Sequence, residues 1–393
     1  MGLRLNSYYA IYDWLGNSRR RYLAIRVARA LGMRHLLVRL DTNFLCNLKC
    51  KTCYFSGPRI KEMLRAPMTE ERFRVVAARV FPSTRILFLS CGGEPLMTKD
   101  FATFLDIASE YRVPYVGFIT NALLFRKETV AAVMRNRVNE IIVSVDGASA
   151  KTYEYIRQGG RFDVLLEKLQ MLMEARGQAR LPDLRFNFTI TRTNFRETVE
   201  IVEMARRFGI STIKFRHFTD WGGQFAFRDE SLKGYEREFN RLLDATLSKA
   251  REYGIKVFAP EPFGHAGETK MKAKVRTVEE LIDTTPRPPC IMPWYHLYVD
   301  PEGLTRPCAF LPLGFESLFD RTLSEIESGA ENSARRRALL RDPRGSCLVT
   351  GCSGQILRRA NDDSDYLAQY DESGRVNESL GRFTPGDGAS PES

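Results

Sequence analysis

The chain has 393 residues, 44% of them hydrophobic, so it is long enough to bury one large core and a smaller second one. Its 59 basic and 48 acidic residues give a net charge of +11, which fits a solvated surface or contact with a membrane, nucleic acid or phosphorylated substrate. No run approaches the roughly 18 uncharged apolar residues of a spanning helix, and the first residues lack a secretory pattern, so we expect a cytoplasmic protein.

Residues 1–35 form a basic extension that we predict to be helical. Residues 1–40 hold eight arginines against one acid, Asp13. In the stretch NSRRRYLAIRVARALGMRHLL, arginines lie on one side of the predicted helix and Leu23, Val27 and Leu31 on the other. Two interpretations stay open: a helix that caps the following domain, or an interfacial helix that makes a peripheral membrane contact.

Residues 36–284 alternate short apolar runs with amphipathic ones, which is the order of strands and helices in a parallel sheet. We predict strands at 36–42, 85–90, 115–120, 140–146, 184–190 and 212–218. The intervening stretches have the pattern of helices; after the fifth strand, Val199, Val202 and Ala205 recur every three residues opposite Glu200 and Glu203. The fold class is therefore α/β, with helices covering a six-stranded sheet.

The loop after the first strand, CNLKCKTC, places Cys46, Cys50 and Cys53 within eight positions. Three thiolates from one loop can hold three corners of a four-iron cluster and leave the fourth iron open for another ligand. A zinc site and a buried trio of thiols are the alternatives, although structural zinc takes four ligands.

The second strand is followed by Gly92-Gly93-Glu94-Pro95. Two glycines allow the backbone to pass close to a ligand, and a carboxylate stands beside them. Alone, this is also the composition of an ordinary turn. One βα unit after a three-cysteine loop, it favours a ligand site.

Together these motifs resemble the radical S-adenosylmethionine (SAM) superfamily. The resemblance implies a partial (β/α)6 TIM-like barrel in which the three cysteines bind a [4Fe-4S] cluster, and the amine and carboxylate of SAM chelate the open iron. One electron from the cluster then cleaves SAM to a 5′-deoxyadenosyl radical, which abstracts hydrogen from a substrate. An external one-electron reductant such as flavodoxin or ferredoxin is the implied partner.

The resemblance extends to positions that would bind SAM. These are Gly92, Gly93, Glu94 and Pro95 after the second strand, Thr120 and Asn121 at the end of the third, and Ser144 and Asp146 at the end of the fourth. The family often has an aromatic residue just before the third cysteine; here that position is Thr52, and Tyr54 is expected to help enclose the site. Cys91 is expected to be a small strand-end residue.

A second set of cysteines follows the predicted barrel: Cys290, Cys308, Cys347 and Cys352. A hairpin that turns at residues 300–303 would bring the first two together. Four thiolates can close a zinc knot. The order of cysteine, glycine, four residues and cysteine also looks like the SPASM or twitch extension of radical SAM enzymes, which implies one auxiliary [4Fe-4S] cluster. The looser spacing of Cys347 and Cys352 departs from that pattern.

These interpretations divide the chain into four parts. They are a basic helical extension (1–35), a radical SAM barrel (36–284), a small cysteine-rich auxiliary-cluster domain (285–360) and an acidic tail (361–393). The tail is rich in Gly, Ser and Pro and lacks apolar surface, so we expect it to be largely disordered.

A fully ligated auxiliary cluster implies electron transfer, so the leading hypothesis is a radical SAM oxidoreductase or maturase of a small molecule or peptide. A second hypothesis is a radical SAM enzyme of lipids or lipid-linked glycans at a membrane surface. A third is a non-enzymatic iron–sulfur protein that binds RNA, which only the charge supports. No catalytic residue is identified; His217, at the end of the sixth strand, either touches substrate at the barrel mouth or has a structural role.

Overall fold

The frame of the fold is a run of βα units. The computed structural model describes residues 18–56, 66–90, 92–218, 224–225, 227–264, 291–307 and 316–341. The first six strands are β1 (Leu36–Leu40), β2 (Thr84–Leu89), β3 (Tyr115–Thr120), β4 (Glu140–Ser144), β5 (Asp183–Ile190) and β6 (Thr212–His217). Each predicted strand is therefore present, with ends that differ by no more than two residues.

Helices alternate with these strands. They are α1 (Ser18–Ala30), α2 (Glu70–Val80), α3 (Phe101–Glu110), α4 (Lys127–Arg135), α5 (Ala150–Ile156), α6 (Phe162–Arg176), α7 (Thr198–Arg207), α8 (Phe227–Glu230) and α9 (Glu236–Glu252). Hydroxyl caps begin two of them: the Thr69 side chain accepts a hydrogen bond at the start of α2, and Ser149 does so at the start of α5. In α7, Val202 is buried and Glu203 exposed, as the periodicity predicts.

The strands form one sheet in the order β7-β6-β5-β4-β3-β2-β1-β8-β9. Three short strands extend the predicted six: β7 (Lys256–Phe258), β8 (His296–Val299) and β9 (Thr305–Arg306). All neighbours pair in parallel except β9, which runs antiparallel to β8. The predicted α/β partial barrel is confirmed. Strands as short as β7 show too few alternations to be recognised from sequence.

The predicted hairpin is formed by β8 and β9. The Gly303 N–H donates to the Asp300 carbonyl (2.9 Å), and Gly303 has a φ of +75°, which favours glycine. Asp300 Oδ1 accepts the N–H groups of Glu302 and Leu304, both at 2.9 Å. Because β8 pairs with β1, this hairpin belongs to the same sheet as the barrel strands.

The two faces of the sheet differ. The outer face packs against the helices in a large apolar core that includes Val38 of β1, Phe73 of α2 and Phe104 of α3. The rings of Phe73 and Phe104 stack with centroids 4.1 Å apart. The inner face carries a smaller apolar cluster of Leu37, Ile86, Phe88, Tyr115 and Ile142. The helices thus cover one face, and the other lines the barrel interior.

Helix α1 packs near α10 (Leu323–Ser328) and α11 (Ala330–Arg341). The Tyr22 ring meets the Trp294 ring edge-on at 5.1 Å, and Arg29 pairs with Glu327. On its other side, Leu23, Val27 and Leu31 are 63%, 49% and 69% exposed. None of the described helices has the length and apolar character needed to cross a membrane. The predicted disordered tail lies outside the described residues.

Candidate active site

The three cysteines predicted to bind iron lie in the loop that leaves the carboxyl end of β1. The end of α5 and the residues that follow it support this loop. The Lys49 N–H donates to the Gln158 carbonyl (2.9 Å), and the Lys51 N–H donates to the Ile156 carbonyl (2.8 Å). Two segments far apart in sequence therefore fix the cysteine loop at the carboxyl edge of the sheet.

N–H groups approach two of the sulfur atoms. The Leu48 backbone N–H lies 3.4 Å from Cys46 Sγ, and the Asn121 side-chain nitrogen lies 3.9 Å from the same sulfur. Arg157 Nη1 is 3.8 Å from Cys50 Sγ. Hydrogen bonds to sulfur are among the features that tune iron–sulfur clusters. The donor set of this loop therefore fits three thiolate ligands of a [4Fe-4S] cluster.

The cysteines are held as thiols by their surroundings. Burial raises the pKa of Cys46 to about 11 and the pKa of Cys50 to about 12, and it also raises the pKa of Cys53. Since iron binds the thiolate, cluster assembly must displace a proton from each cysteine. Among the described residues, no three His, Cys, Asp or Glu side chains are grouped to hold a single metal ion.

Gly92 and Gly93 let the turn after β2 press against the loop after β1. A Cβ on Gly93 would lie 2.7 Å from the Leu45 carbonyl oxygen, and a Cβ on Gly92 would lie 2.5 Å from the Phe55 ring. Both distances are shorter than van der Waals contact. The close approach of these two loops therefore requires glycine at both positions.

The Glu94 side chain joins the ends of β2 and β3. It is 2% exposed, and its carboxylate accepts the Thr120 hydroxyl (2.6 Å), the Asn121 N–H (2.7 Å) and the Leu96 N–H (3.2 Å). Burial raises the pKa of Glu94 to about 7. The carboxylate predicted to contact SAM thus also orders two other predicted contacts, Thr120 and Asn121. Its own contact with SAM stays a prediction.

Asn121 connects this network to the cysteine loop. Its side-chain nitrogen donates to Asn47 Oδ1 (2.9 Å), and its Oδ1 accepts the Leu123 N–H (3.0 Å). Ser144, the last residue of β4, is half-buried at the same edge of the sheet. The structure therefore brings the predicted positions after β1 to β4 together, while their contacts with SAM stay predictions.

A buried ion pair beside Cys50 escaped the sequence analysis. Arg157 Nη2 lies 2.7 Å from Asp146 Oδ2, and the two residues are 9% and 1% exposed. Asp146 Oδ1 accepts the Thr189 N–H (2.8 Å). Asp146, a predicted SAM contact, is therefore already engaged by a cation. The available signal was an arginine at the end of a helix, just before a glycine pair at 159–160 that turns the chain beneath the cysteine loop.

An aromatic side chain that the sequence analysis did not name reaches the site. Thr52 is half-buried, and Tyr54 begins a short helical turn, Tyr54–Ser56. The ring that covers Gly92 belongs to Phe55, whose centroid is 5.7 Å from that of Phe44. Phe55 is thus an aromatic neighbour of Gly92 that the sequence analysis did not name, and the role of Tyr54 stays a prediction.

Five cysteines lie outside the described residues: Cys91, Cys290, Cys308, Cys347 and Cys352. Their predicted roles therefore stay predictions. The described part of residues 285–360 does reach the site, because the Tyr298 hydroxyl of β8 donates to Asp41 Oδ2 (2.5 Å). Asp41 Oδ1 in turn accepts the Gly92 N–H (3.0 Å).

His217 turns toward the helices and away from the barrel interior. Its ring centroid lies 5.4 Å from that of Phe239 in α9 and 5.4 Å from that of Phe263. Burial lowers the pKa of His217 to about 3, so the ring is neutral at physiological pH. These contacts favour the structural interpretation of this histidine over the substrate contact.

Residues 42–178 match the family described as the Radical SAM superfamily. The chain carries a radical SAM domain. The match begins directly after β1 and contains the cysteine loop, the glycine pair and the ends of β3 and β4. The predicted class, a radical SAM enzyme, is confirmed.

Two curated relatives extend the comparison. AdoMet-dependent heme synthase of Methanosarcina barkeri is 23% identical over 338 residues, which cover 82% of this chain and 92% of that protein. Mycofactocin maturase MftC of Mycolicibacterium smegmatis is 26% identical over 170 residues, 43% of this chain and 41% of that protein. The chain therefore matches the heme synthase along most of its length and less than half of the maturase.

Solved structures show the same fold. SuiB of Streptococcus suis bound to its precursor peptide SuiA is 16% identical with a TM-score of 0.59, over 87% of this chain and 77% of SuiB. The enzyme anSMEcpe bound to AdoMet and the Cp18Cys peptide is 14% identical with a TM-score of 0.56, over 88% of this chain and 95% of that structure. At these identities the likeness establishes the fold alone.

Proposed function

We propose that the chain reductively cleaves SAM and uses the resulting radical to oxidise or cross-link a peptide or small-molecule substrate. The observation that carries the proposal is one network at the carboxyl edge of the sheet. Glu94 binds the end of β3, and Asn121 reaches from there to Cys46. Three motifs from separate βα units thus meet at a single place, where a ligand of the open iron would lie.

The proposed cluster ligands are Cys46, Cys50 and Cys53, and the proposed SAM contacts are Thr52, Tyr54, Gly92, Gly93, Glu94, Pro95, Thr120, Asn121, Ser144 and Asp146. When bound, the cluster would supply the electron that splits SAM into methionine and a 5′-deoxyadenosyl radical. The glycine pair lets the turn after β2 pack directly against the cysteine loop, and the buried network keeps that backbone in place.

Arg157 would add a fixed positive charge at the cluster. Its guanidinium lies between Cys50 Sγ and the Asp146 carboxylate. Net charge and hydrogen bonding near the sulfurs are main determinants of cluster potential. A cation at this place favours the form with one more electron, so Arg157 should make the cluster easier to reduce. The external reductant, such as flavodoxin or ferredoxin, could then reduce the cluster at a less negative potential.

The relatives support two possible substrate classes, a peptide and a small molecule. A maturase and SuiB bound to a precursor peptide support a peptide, whereas a heme synthase supports a small molecule. We propose that residues 285–360 form the auxiliary domain, in which Cys290, Cys308, Cys347 and Cys352 hold one [4Fe-4S] cluster. Such a cluster would accept the electron that a substrate radical loses on oxidation, which a zinc ion cannot do.

The test is anaerobic reconstitution of the full chain with iron and sulfide. Wild type should bind about eight irons and release 5′-deoxyadenosine from SAM when reduced, since two four-iron clusters are expected. Replacing Cys46, Cys50 and Cys53 with alanine should abolish 5′-deoxyadenosine and leave about four irons. Retained SAM cleavage in this triple variant would overturn the proposal. Four irons and one zinc in wild type would overturn the auxiliary cluster alone.

A second candidate function rests on the exposed row of α1. Leu23, Val27 and Leu31 project on the side of the helix opposite Tyr22, which is packed on Trp294. An apolar row beside arginines fits an interfacial helix of an enzyme whose substrate is a lipid or lipid-linked glycan. Anionic liposomes should pellet wild type but not a variant with Leu23, Val27 and Leu31 changed to Ser. Equal pelleting of the two would exclude this candidate.

A further inference from the structure

The cysteine loop has a surface side as well as the side that faces the candidate active site. Exposure alternates across Cys50: Lys49 is exposed, Cys50 is 8% exposed, and Lys51 is half-buried. The Cys50 thiol points into the protein, toward Arg157, while the two lysines beside it lie at the surface. Because the three residues are consecutive, this surface lies one backbone layer from a proposed ligand of the cluster.

Two segments hold this part of the loop in place. The Lys49 and Lys51 N–H groups donate to carbonyls at and just after the end of α5. A second segment, after β6, binds the same residues. The N–H groups of Gln224 and Phe225 both donate to the Lys51 carbonyl (3.0 Å each), and the Gln224 side chain donates to the Lys49 carbonyl (3.3 Å). The backbone that carries the lysines is therefore preorganised, which lowers the entropy that a docking partner would lose.

An exposed aromatic ring stands beside the lysines. Lys51 Nζ lies 3.4 Å from the centroid of the Tyr155 ring, which is 49% exposed. Tyrosine combines apolar area with a polar tip and is enriched in protein–protein interfaces. The exposed Lys151 lies one helical turn before Tyr155, on the same side of α5. We call the surface formed by these side chains the lysine face; it consists of Lys49, Lys51, Lys151, Tyr155 and Gln224.

The lysine face is net positive. Its three lysines form no ion pair with a carboxylate of the described residues. Two acids near it are buried: Asp41 and Asp146 are each 1% exposed. A third, Asp163, pairs with Arg161. Among the described residues, the exposed carboxylates nearest along the chain are Glu154 and Asp229, which the lysines outnumber.

This position suits a partner that delivers an electron to the cluster. The proposed function requires one electron from outside for SAM cleavage. The rate of electron transfer falls steeply with distance, so a carrier has to dock where the cluster lies close to the surface. Complementary charge raises the rate of encounter between two proteins and orients them. A positive surface directly behind Cys50 therefore fits an acidic carrier.

We propose that the lysine face docks a small acidic electron carrier of the flavodoxin type. The inference rests on the proposed function, because it names the partner of that same site. Lys49, Lys51 and Lys151 would meet carboxylates of the carrier, and Tyr155 would pack against the exposed aromatic edge of its flavin. In the transfer the carrier is oxidised by one electron and the cluster of this chain is reduced by one, with no bond made or broken.

The first measurement is the affinity of the anaerobically reconstituted full chain for an oxidised bacterial flavodoxin, so that binding is observed without electron transfer. The variants are the double change Lys49→Gln with Lys51→Gln, and Tyr155→Ser. The control is Arg251→Gln, which removes an exposed arginine at the end of α9, next to the amino edge of the sheet. Every variant should bind as much iron as wild type, which shows that the cysteine loop is intact.

Salt separates the two kinds of contact. At about 50 mM NaCl the double lysine variant should bind flavodoxin about fivefold to thirtyfold more weakly than wild type, and the control should bind as wild type does. At about 0.5 M NaCl the difference between wild type and the double variant should vanish, because salt screens exposed charges. Tyr155→Ser should bind more weakly at both salt concentrations, since contact between apolar rings is not screened.

The second measurement is the rate at which reduced flavodoxin is oxidised on mixing with the reconstituted chain, followed by flavin absorbance at low salt. The double lysine variant should be slower than wild type. Dithionite is a small reductant that needs no docking surface. With dithionite and SAM, wild type and the double variant should release 5′-deoxyadenosine at equal rates, which a general loss of the site would not allow.

The dithionite measurement distinguishes this inference from the proposed function. If wild type cleaves SAM with dithionite but does not bind flavodoxin, or if the double lysine variant binds it as tightly as wild type at low salt, the docking surface is overturned and the proposed function stands. An acidic ferredoxin that binds through the lysine face while flavodoxin does not would overturn the choice of carrier. If flavodoxin binds through the lysine face but dithionite yields no 5′-deoxyadenosine, the docking surface is supported and the radical chemistry is overturned.

Discussion

Removing one partner of the Arg157–Asp146 pair should destabilise the protein far more than removing one partner of a surface pair. Arg157→Met leaves the Asp146 carboxylate, 1% exposed, with the Thr189 N–H as its remaining hydrogen-bond donor among the described residues. Breaking a buried pair in this way costs about 3–5 kcal/mol. The pair of Arg196 with Glu238 has similar distances, 2.7 and 2.9 Å, but side chains 53% and 33% exposed. Exposed pairs contribute about 0.2–1 kcal/mol.

The measurement is urea denaturation of the reduced, cluster-free protein under anaerobic conditions. Arg157→Met and Asp146→Asn should each lower the free energy of unfolding by about 3 kcal/mol or more, and Arg196→Met by less than about 1 kcal/mol. The double variant Arg157→Met with Asp146→Leu should regain part of the loss, because neither charge is then left buried alone. Equal losses for Arg157→Met and Arg196→Met would refute the reasoning.

Three other predictions follow from the site. Burial raises the pKa of Glu94 from 4.5 to about 7, so the folded protein holds this proton more tightly than the unfolded chain does. The free energy of unfolding of the cluster-free protein should therefore fall as pH rises through that interval. In Glu94→Gln it should fall less. Gly93→Ala places a Cβ 2.7 Å from the Leu45 carbonyl and should lower the iron bound on reconstitution, whereas Gly329→Ala, with its nearest atom at 3.3 Å, should not. Replacing Cys290 and Cys308 with alanine should leave SAM cleavage partly active while oxidised product disappears from mass spectra; unchanged product would contradict the relay.

The frame and the motifs were predictable because both depend on local sequence. Buried parallel strands appear as short apolar runs, and the cysteine loop and glycine pair are recognised by spacing alone. The contacts that the sequence analysis missed join residues that are far apart in the chain. Arg157 is 107 positions from Cys50, and Tyr298 is 257 positions from Asp41. Neither residue stands in a motif whose local pattern names its partner, so only the folded chain reveals the contact.

Phe55 shows a finer limit of the same kind. The sequence analysis looked for an aromatic residue near the third cysteine and considered Thr52 and Tyr54. Which neighbour turns its side chain toward Gly92 depends on the backbone of the short turn Tyr54–Ser56. A shift of one residue in such a turn redirects the side chain by about 100° or more. Composition near a motif therefore predicts that aromatic rings are available, and the local backbone decides which of them faces Gly92.

The alternation of polar and apolar residues in β5 and β6 was visible in the sequence, but these stretches were identified only as short apolar runs. In β5 the residues Arg185 and Asn187 alternate with Leu184, Phe186 and Phe188. The same alternation recurs in β6, where Lys214 and Arg216 alternate with Ile213 and Phe215. A period of two in a parallel strand means that helices cover one face only, since a strand buried on both faces is apolar throughout. In this chain the alternation therefore marks which face of β5 and β6 the helices leave uncovered.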